Sequence, residues 1–303
     1  MAKKQVKHNM NLVKLIQDFG SDDKCRADLE KLRWPDGPVC PRCGLTNIYR
    51  LDKRQQFECA DCQYQFSVTS GTIFHDSHLP LSKWFLTIYM MIESKKGVSA
   101  LQIKRELGVA YQTAWYLCHR IRAAMHEAYP YPPLKGIVEI DETFVGGKAT
   151  GKGKSAAFKN KVIVVGAIQR GGKVVLKVIP ARTKPNLIKF IRETTQDETE
   201  AYYTDDLPAY KGIGDYNTRH ESVNHSEYEY VRGDVHTNNI EMVWQLFKRS
   251  VVGSYHQLSR KHMDAYLDEL EWRFNNRENP WLFRDTVRKL IASDKLEYKK
   301  LTA

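Results

Sequence analysis

Two C-x-x-C pairs, Cys40 with Cys43 and Cys59 with Cys62, stand fifteen residues apart in WPDGPVCPRCGLTNIYRLDKRQQFECADCQYQF (34–66). Each pair fits one tight turn, with Pro41 and Gly44 shaping the first. Four thiolates so arranged can meet one Zn2+ tetrahedrally at ~2.3 Å per Zn–S bond. All four positions around the ion are then filled by sulfur, which predicts a structural rather than a catalytic zinc. Asn47–Arg50 and Gln56–Glu58 read as short strands between the knuckles. Cys25 and Cys118 stand alone, and in a reducing compartment the paired knuckles point to metal rather than to disulfides. His75 and His78 follow closely and read as surface residues. Arg42, Lys53 and Arg54 make the ribbon a DNA-contacting candidate, although ribbons of this kind also bind protein.

The chain has 303 residues, about two domains at ~150 each, and a formal charge of +11, of which +7 falls in residues 1–135. Such a balance favours polyanionic partners. The longest apolar run, Trp84–Ile92, is far short of the ~20 residues that cross a bilayer. The basic N-terminus lacks the apolar stretch and cleavage site of a signal peptide, so the expected location is cytoplasmic. Residues 146–161 hold five lysines and no acid. They read either as a solvated linker or as an arm contacting phosphates through Lys148, Lys152 and Lys154.

Between Leu81 and Met125 the apolar residues recur at helical steps, beginning with Trp84, Phe85, Ile88, Met91 and Ile92. GVSALQIKRELGVAYQTAWYLCHRIRAAM (97–125) places Ser99 as an N-cap, a turn at Gly108 and a second helix from about Tyr111, with Ala114, Leu117, Cys118 and Ile121 inward. This is the pattern of a helix-turn-helix. Tyr111, Gln112, Thr113 and Tyr116 would then open a recognition helix, with Arg120 and Arg122 near phosphates. A plain helical hairpin is the other reading.

A proline-rich break, YPYPPLKG (129–136), marks a domain boundary. Beyond it come strands at 137–145, 162–169 and 173–179, with a hairpin turn at Gly171-Gly172. A helix at 185–195, a strand at 200–204, a short helix at 207–211, a strand at 219–223 and a long helix from about Asn239 complete the pattern. The order βββαβαβα predicts an α/β RNase H-like domain with a mixed sheet. The expected organisation is therefore an N-terminal helical segment (1–33), a zinc ribbon (34–80), a helix-turn-helix-like region (81–130), the RNase H-like catalytic domain (131–255) and a C-terminal helical extension (256–303). In that extension Leu267, Leu270, Phe274, Trp281, Phe283 and Ile291 are expected inward.

Three carboxylates fall where such a fold gathers side chains: Asp141 on a central strand, Asp205 at the end of its neighbour and Glu241 on a helix packed across them. Oxygen clusters of this kind hold two Mg2+ or Mn2+ ions, which suit in-line phosphoryl displacement. Glu142 shares the phase of Val138 and Ile140 and is expected on the apolar face, which leaves Asp141 for the metal. Asp206 is expected to cap the short helix that follows, which leaves Asp205. Glu241 also fits a capping box with Asn238.

VEIDETFVGGK, YTDDLPAYKG, VNHSEYEYVRGDVHTNNIEMVWQLFKR and VVGSYHQLSRKHMDAYLDELEWRFNNR resemble the DDE transposase domain of bacterial insertion sequences of the Merlin or ISXO type. These carry an N-terminal zinc ribbon like CPRCG…CADC. The resemblance runs from about Leu29 to Asn276. It implies a transposase that cuts and joins double-stranded DNA at terminal inverted repeats with divalent metal, acting as a homodimer or larger assembly on DNA. Asp141, Asp205 and Glu241 match the family's catalytic residues. Phe144 stands where relatives often have Tyr, and Asn239 where Thr is common. His236, Asn238 and Asn239 match positions that support the active site, although local turn and capping bonds would also explain them. Lys248 and Arg249 lie two turns after Glu241 and could hold DNA phosphates or face solvent. Two other functions remain open: a DNA-binding regulator with an inactive RNase H-like domain, and a host-adapted nuclease that hydrolyses without joining.

Overall fold

A computed structural model describes residues 9–126, 133–146, 161–214, 217–224 and 227–303, except for the side chains of 196 and 197. Lys148, Lys152 and Lys154, with the first half of the proline-rich break, lie outside the described residues. The five expected segments gather into two compact units, one of residues 1–125 with 276–303 and one of 126–275. Among the described residues, no helix is long and apolar enough to cross a membrane.

The first unit opens with α1 (Leu12–Phe19) and α2 (Asp22–Arg33). Asn11 and Ser21 cap these helices by accepting from the amides three residues on, and α2 places Asp22 and Asp23 at its N-terminus and Lys31 and Arg33 near its end, as the helix dipole favours. The ribbon follows as an antiparallel sheet of β1 (Ile48–Leu51), β2 (Gln56–Cys59) and β3 (Gln65–Phe66). Then come α3 (Leu81–Glu93), α4 (Ala100–Leu107) and α5 (Tyr111–Met125). Ser99 caps α4 at 3.1 Å, and Gly108 ends it at φ +62°, a left-handed conformation that glycine adopts without a Cβ penalty. Ala114, Leu117, Cys118 and Ile121 are buried as their spacing predicts.

The second unit is a five-stranded mixed sheet in the order β6-β5-β4-β7-β8. Its strands are β4 (Leu134–Val145), β5 (Val162–Gln169), β6 (Val174–Ile179), β7 (Thr195–Asp205) and β8 (Arg219–Val223), with α6 (Lys184–Thr194) joining β6 to β7. The pairs β4–β5 and β5–β6 are antiparallel, while β4–β7 and β7–β8 are parallel. Alternation along the strands sends Val138, Ile140, Val165 and Ala167 to one face, against Leu187, Phe190 and Ile191 of α6. The opposite face, with Val145, Val164, Val174 and Leu176, is covered by α7 (Asn238–Ser250) and α8 (Met263–Asn275). Two helical layers around a central mixed sheet make this an α/β RNase H-like fold, the class the element order predicts.

The edge strand β6 explains why this unit runs on to Asn275. The Val174 amide donates to Asn275 Oδ1 at 2.8 Å while Asn275 Nδ2 returns a bond to the Val174 carbonyl at 2.9 Å. The Leu176 amide donates to Glu271 at 3.0 Å, and the Val178 amide donates to Asp264. Three side chains of α8 thus satisfy alternate outward amides of β6, closing an edge that would otherwise pair with another strand. The expected boundary at 255/256 falls inside this arrangement. The chain then returns to the first unit as α9 (Leu282–Ala292), whose Phe283 packs on Phe19 and Phe85 at ring separations of 5.7 and 5.8 Å. Leu267, Leu270, Phe274, Phe283 and Ile291 are buried as expected, but Trp281 is half exposed because it precedes the first turn of α9 rather than lying on its inner face.

Candidate functional site

The ribbon builds its four-sulfur site from two turns with one bonding pattern. In the first, the Cys40 amide donates to the Leu45 carbonyl and the Gly44 amide to the Cys40 carbonyl; in the second, Cys59 donates to Tyr64 and Gln63 to Cys59, all at 2.9–3.1 Å. The fourth residue after each leading cysteine, Gly44 or Gln63, takes positive φ, +76° and +55°. Cys40 Sγ lies 3.6 Å from Cys62 Sγ, and Cys43 Sγ lies 3.6 Å from Cys59 Sγ. All four sulfurs fall within 4.8 Å of one another, close to the ~3.8 Å edge of a tetrahedron with 2.3 Å Zn–S bonds. Burial opposes ionisation of Cys40, but the backbone amides of Cys43 and Arg42 outweigh it and bring the thiol down to about 7. The donor set fits a structural Zn2+.

The acidic cleft of the second unit is assembled from remote elements. Asp141 pairs with Gly166 across β4–β5, and the register of β4 with β7, where Glu139 meets Tyr203, brings Asp205 beside Asp141. Gly166 admits Trp244 of α7, since a Cβ there would sit 2.7 Å from the indole ring. The indole Nε1 then donates to Asp141 Oδ2 at 3.0 Å. Asp141, Glu142, Asp205, Thr237, Glu241, Trp244 and Lys248 line an open cleft of about 360 Å³. Burial, then repulsion from Asp205, raises the Asp141 carboxyl to about 7, against the pull of the Glu142 amide and Trp244. Burial and the same neighbouring acids raise Glu142 to about 7.

Within the cleft, oxygens of Asp141, Glu142 and Asp205 lie within 4.8 Å of one another. Glu142 starts on the α6 face of β4, as its phase predicts, beside the buried Tyr210. Its carboxylate nevertheless joins the cluster, because β7 ends at Asp205 and leaves that side of Glu142 open, although β5 still pairs with it through Val165. The Tyr210 hydroxyl is buried beside this carboxylate and, as its hydrogen-bond neighbour, partly offsets the rise in Glu142. Crowded carboxylates, with the ionisation of Asp141 and Glu142 suppressed by burial and by their acidic neighbours, fit a hard divalent cation. Glu241 lines the cleft outside the 4.8 Å group and accepts from Thr237 Oγ1 at 3.0 Å. Its hydrogen-bonded partner at the helix start is therefore Thr237, not Asn238. Likewise Asp206 is exposed and caps nothing in the short 3-10 helix; the Leu207 amide bonds Asp205 Oδ1 at 3.2 Å instead.

Around the start of α7, His236 and Asn239 meet at one buried carboxylate, Glu139, which the sequence reading passes over. Asn239 donates to it through its backbone and its side chain, and Asn238 is exposed. Lys248 is an exposed lysine at the cleft, while Arg249 is exposed but folds back to the Gln245 carbonyl at 3.2 Å. In the first unit Arg42, Lys53 and Arg54 are exposed, Arg42 lying 4.0 Å over the Tyr64 ring. Tyr111, Gln112 and Thr113 are exposed on the first turn of α5, and Gln112 donates to Tyr298 at 2.7 Å. Arg120 is not available to phosphate. It is 3% exposed, donates to the His75 carbonyl at 2.6 Å and stacks between Trp84 and Tyr116. Arg122 is buried too, and Tyr116 bonds the Leu296 carbonyl. Every residue of α5 from Leu117 to Arg122 is buried, so the helix presents no solvent face there, and aromatic faces take the place of solvent around the Arg120 guanidinium.

Residues 133–275 match the ISXO2-like transposase domain and residues 20–65 the transposase zinc-ribbon domain. A protein in transposable element ISH50 of Halobacterium salinarum is 31% identical over 280 residues, 85% of this chain and 92% of its own length. A transposase-like protein of Haemophilus influenzae is 30% identical over 106 residues, 35% of this chain and 84% of its own. With both domains matched in order and a relative aligned over nearly its whole length, the chain belongs to the ISXO2-like transposase family.

Proposed function

We propose that the chain is a DNA transposase that binds the terminal inverted repeats of an insertion sequence and catalyses metal-dependent strand cleavage and strand transfer. The observation that carries the reading is the approach of Asp141 and Asp205, with Glu241 across the same cleft, in a chain of this family. Asp141, Asp205 and Glu241 are the proposed catalytic carboxylates and would hold Mg2+ or Mn2+, with Glu142 near enough to share an ion. When bound, such ions activate the attacking oxygen and offset charge on the leaving one.

The chain's own residues orient and select. Trp244 and the Glu142 amide hold the Asp141 carboxylate in its orientation at the cleft. Lys248, exposed at the rim, takes a phosphate flanking the scissile bond, with Arg249 one position on. Tyr111, Gln112 and Thr113 enter the DNA groove from the start of α5, while Arg42, Lys53 and Arg54 of the zinc-stabilised ribbon contact backbone. Lys148, Lys152 and Lys154 add counterion-displacing charge. His236 and Asn239 serve at the entry of α7, with Asn238 facing solvent beside them. Two DNA ends require two active sites, so the working form is a homodimer or larger assembly in the bacterial cytoplasm.

The test uses DNA carrying the repeats that flank the gene. Mn2+- or Mg2+-dependent nicking and joining is expected, lost in Asp141→Asn and Glu241→Gln while DNA binding persists. Binding with no cleavage in any metal would instead indicate a regulator, and hydrolysed ends that never join would indicate a nuclease.

A further inference from the structure

Helix α7 carries Glu241, yet its N-terminus is not capped from within. The N-cap residue Thr237 makes no side-chain capping bond and turns its hydroxyl to Glu241 instead. The amides that a cap would satisfy belong to Asn239 and Ile240, the second and third residues of the helix. Both donate to Glu139 Oε2, at 2.8 and 3.3 Å, from a strand one hundred residues earlier in the chain.

Glu139 is fully buried, so its charge must be met on the spot. Arg170 Nε and Asn239 Nδ2 donate to its other oxygen at 2.7 Å each, and His236 Nδ1 lies 3.3 Å away. Arg170 also donates to the His236 carbonyl at 3.2 Å and lies 4.8 Å over the Tyr203 ring, whose hydroxyl donates to Asp234 at 2.7 Å. Asp234 to Asn239, the whole approach to α7, is thereby tied to β4, β5 and β7. With two oxygens engaged by four donors, Glu139 has no lone pair to spare for an ion, unlike Asp141 and Glu142.

Glu139 and Asp141 point to the same face of β4, with one residue between them, and Asn239 and Glu241 are equally close along α7. Fixing the helix amides to Glu139 therefore fixes the separation between the strand that bears Asp141 and the helix that bears Glu241. Glutamine would turn an amide NH2 toward Arg170 or Asn239, and aspartate is a methylene too short to span the gap. We infer that Glu139, with Arg170 as its charge partner, is a positioning residue that sets Glu241 against Asp141 and Asp205. This rests on the proposed metal-binding reading of the cleft.

Mn2+ affinity of the full-length, zinc-loaded protein tests it, measured by calorimetry or electron paramagnetic resonance on the wild type, Glu139→Gln, Glu241→Gln and the double variant. Glu139→Gln is expected to weaken Mn2+ binding about 10–100-fold in the wild-type background, but less than about threefold once Glu241 has been replaced, because the effect travels through Glu241. Should Glu139→Gln fail to fold, as its thermal midpoint would reveal, Asn239→Ala removes a single donor and is expected to show a smaller loss that also vanishes in the Glu241→Gln background. Wild-type affinity in a folded Glu139→Gln, or an equal loss in both backgrounds, overturns the inference and leaves the metal site standing. No Mn2+ binding by the wild type overturns both.

Discussion

The ribbon and the acidic cleft are both clusters of metal-type donors, built on opposite principles. In the ribbon, ligands 22 positions apart at most are brought together by two short turns with identical backbone bonding. In the cleft, carboxylates as much as 100 positions apart depend on the register of β4 with β7, on the absence of a side chain at Gly166 and on the seating of α7. The ribbon holds too little apolar core, chiefly Phe57, Phe66 and the cysteines, to stand without an ion. The cleft is held by a full sheet and two helical layers, so its carboxylates are forced together before any ion arrives. Metal should therefore be a folding requirement in the first and a chemical one in the second.

The largest expected effect is in the ribbon. Cys59→Ser, or zinc removal by a chelator, should unfold it, since zinc contributes on the order of 10–16 kcal/mol in isolated finger peptides. Zinc content together with the fluorescence of Trp34, which packs edge-on against Phe57 and Phe66, reports the loss. A metal-free ribbon with unchanged fluorescence would break the comparison. Next comes Gly166→Ala. The new methyl would meet Trp244 and Ile240, costing about 1–3 kcal/mol of stability by overpacking. It should also displace the indole from Asp141 and slow cleavage more than it weakens DNA binding.

The smallest effect concerns protons. Burial and the neighbouring acids push the Asp141 carboxyl up to about 7 in the folded, metal-free protein, from the ordinary carboxylate value of 3.8 that it regains on unfolding. The folded state therefore binds the proton more tightly, and stability falls as pH rises from about 4 through about 7. Asp141→Asn should remove this penalty, raising the stability of metal-free protein above pH 7 and changing little at pH 4. Thermal unfolding at the two pH values checks it. By the same sign, Mn2+ affinity should weaken as pH drops below 7, by about tenfold per unit for each proton displaced.

The difference between the two sites also decides what the sequence could disclose. The knuckles were legible because the four bonds that close their turns each lie within six residues, and Val162–Gln169 and Arg219–Val223 were legible as β-branched or alternating runs between turns. β7 begins at Thr195, earlier than its apolar stretch, because parallel pairing with β4 supplies partners that Glu198 and its neighbours do not advertise. Asp141, Asp205 and Glu241 came into view as acids on a central strand, at a strand end and on a helix packed across them, and through resemblance. Glu139 did not, since its donors lie 31 to 101 positions away and nothing in VEIDET marks it as a helix cap. Arg120 and Arg122 misled for a related reason: charge in a sequence suggests solvent or phosphate, whereas here aromatic rings and a carbonyl enclose Arg120. Glu142 was assigned correctly to its face, but strand phase does not register where a neighbouring strand stops.

Anomalous diffraction from crystals of the protein soaked in Mn2+, with cleaved end DNA bound, tests the central claim most directly. The account predicts a manganese peak within about 2.2 Å of oxygens of both Asp141 and Asp205, with Glu241 bound to the same ion or to a second one ~3.5–4 Å away. A cleft without manganese, or an ion held by Glu142 and Asp205 with Glu241 still turned to Thr237, would contradict it.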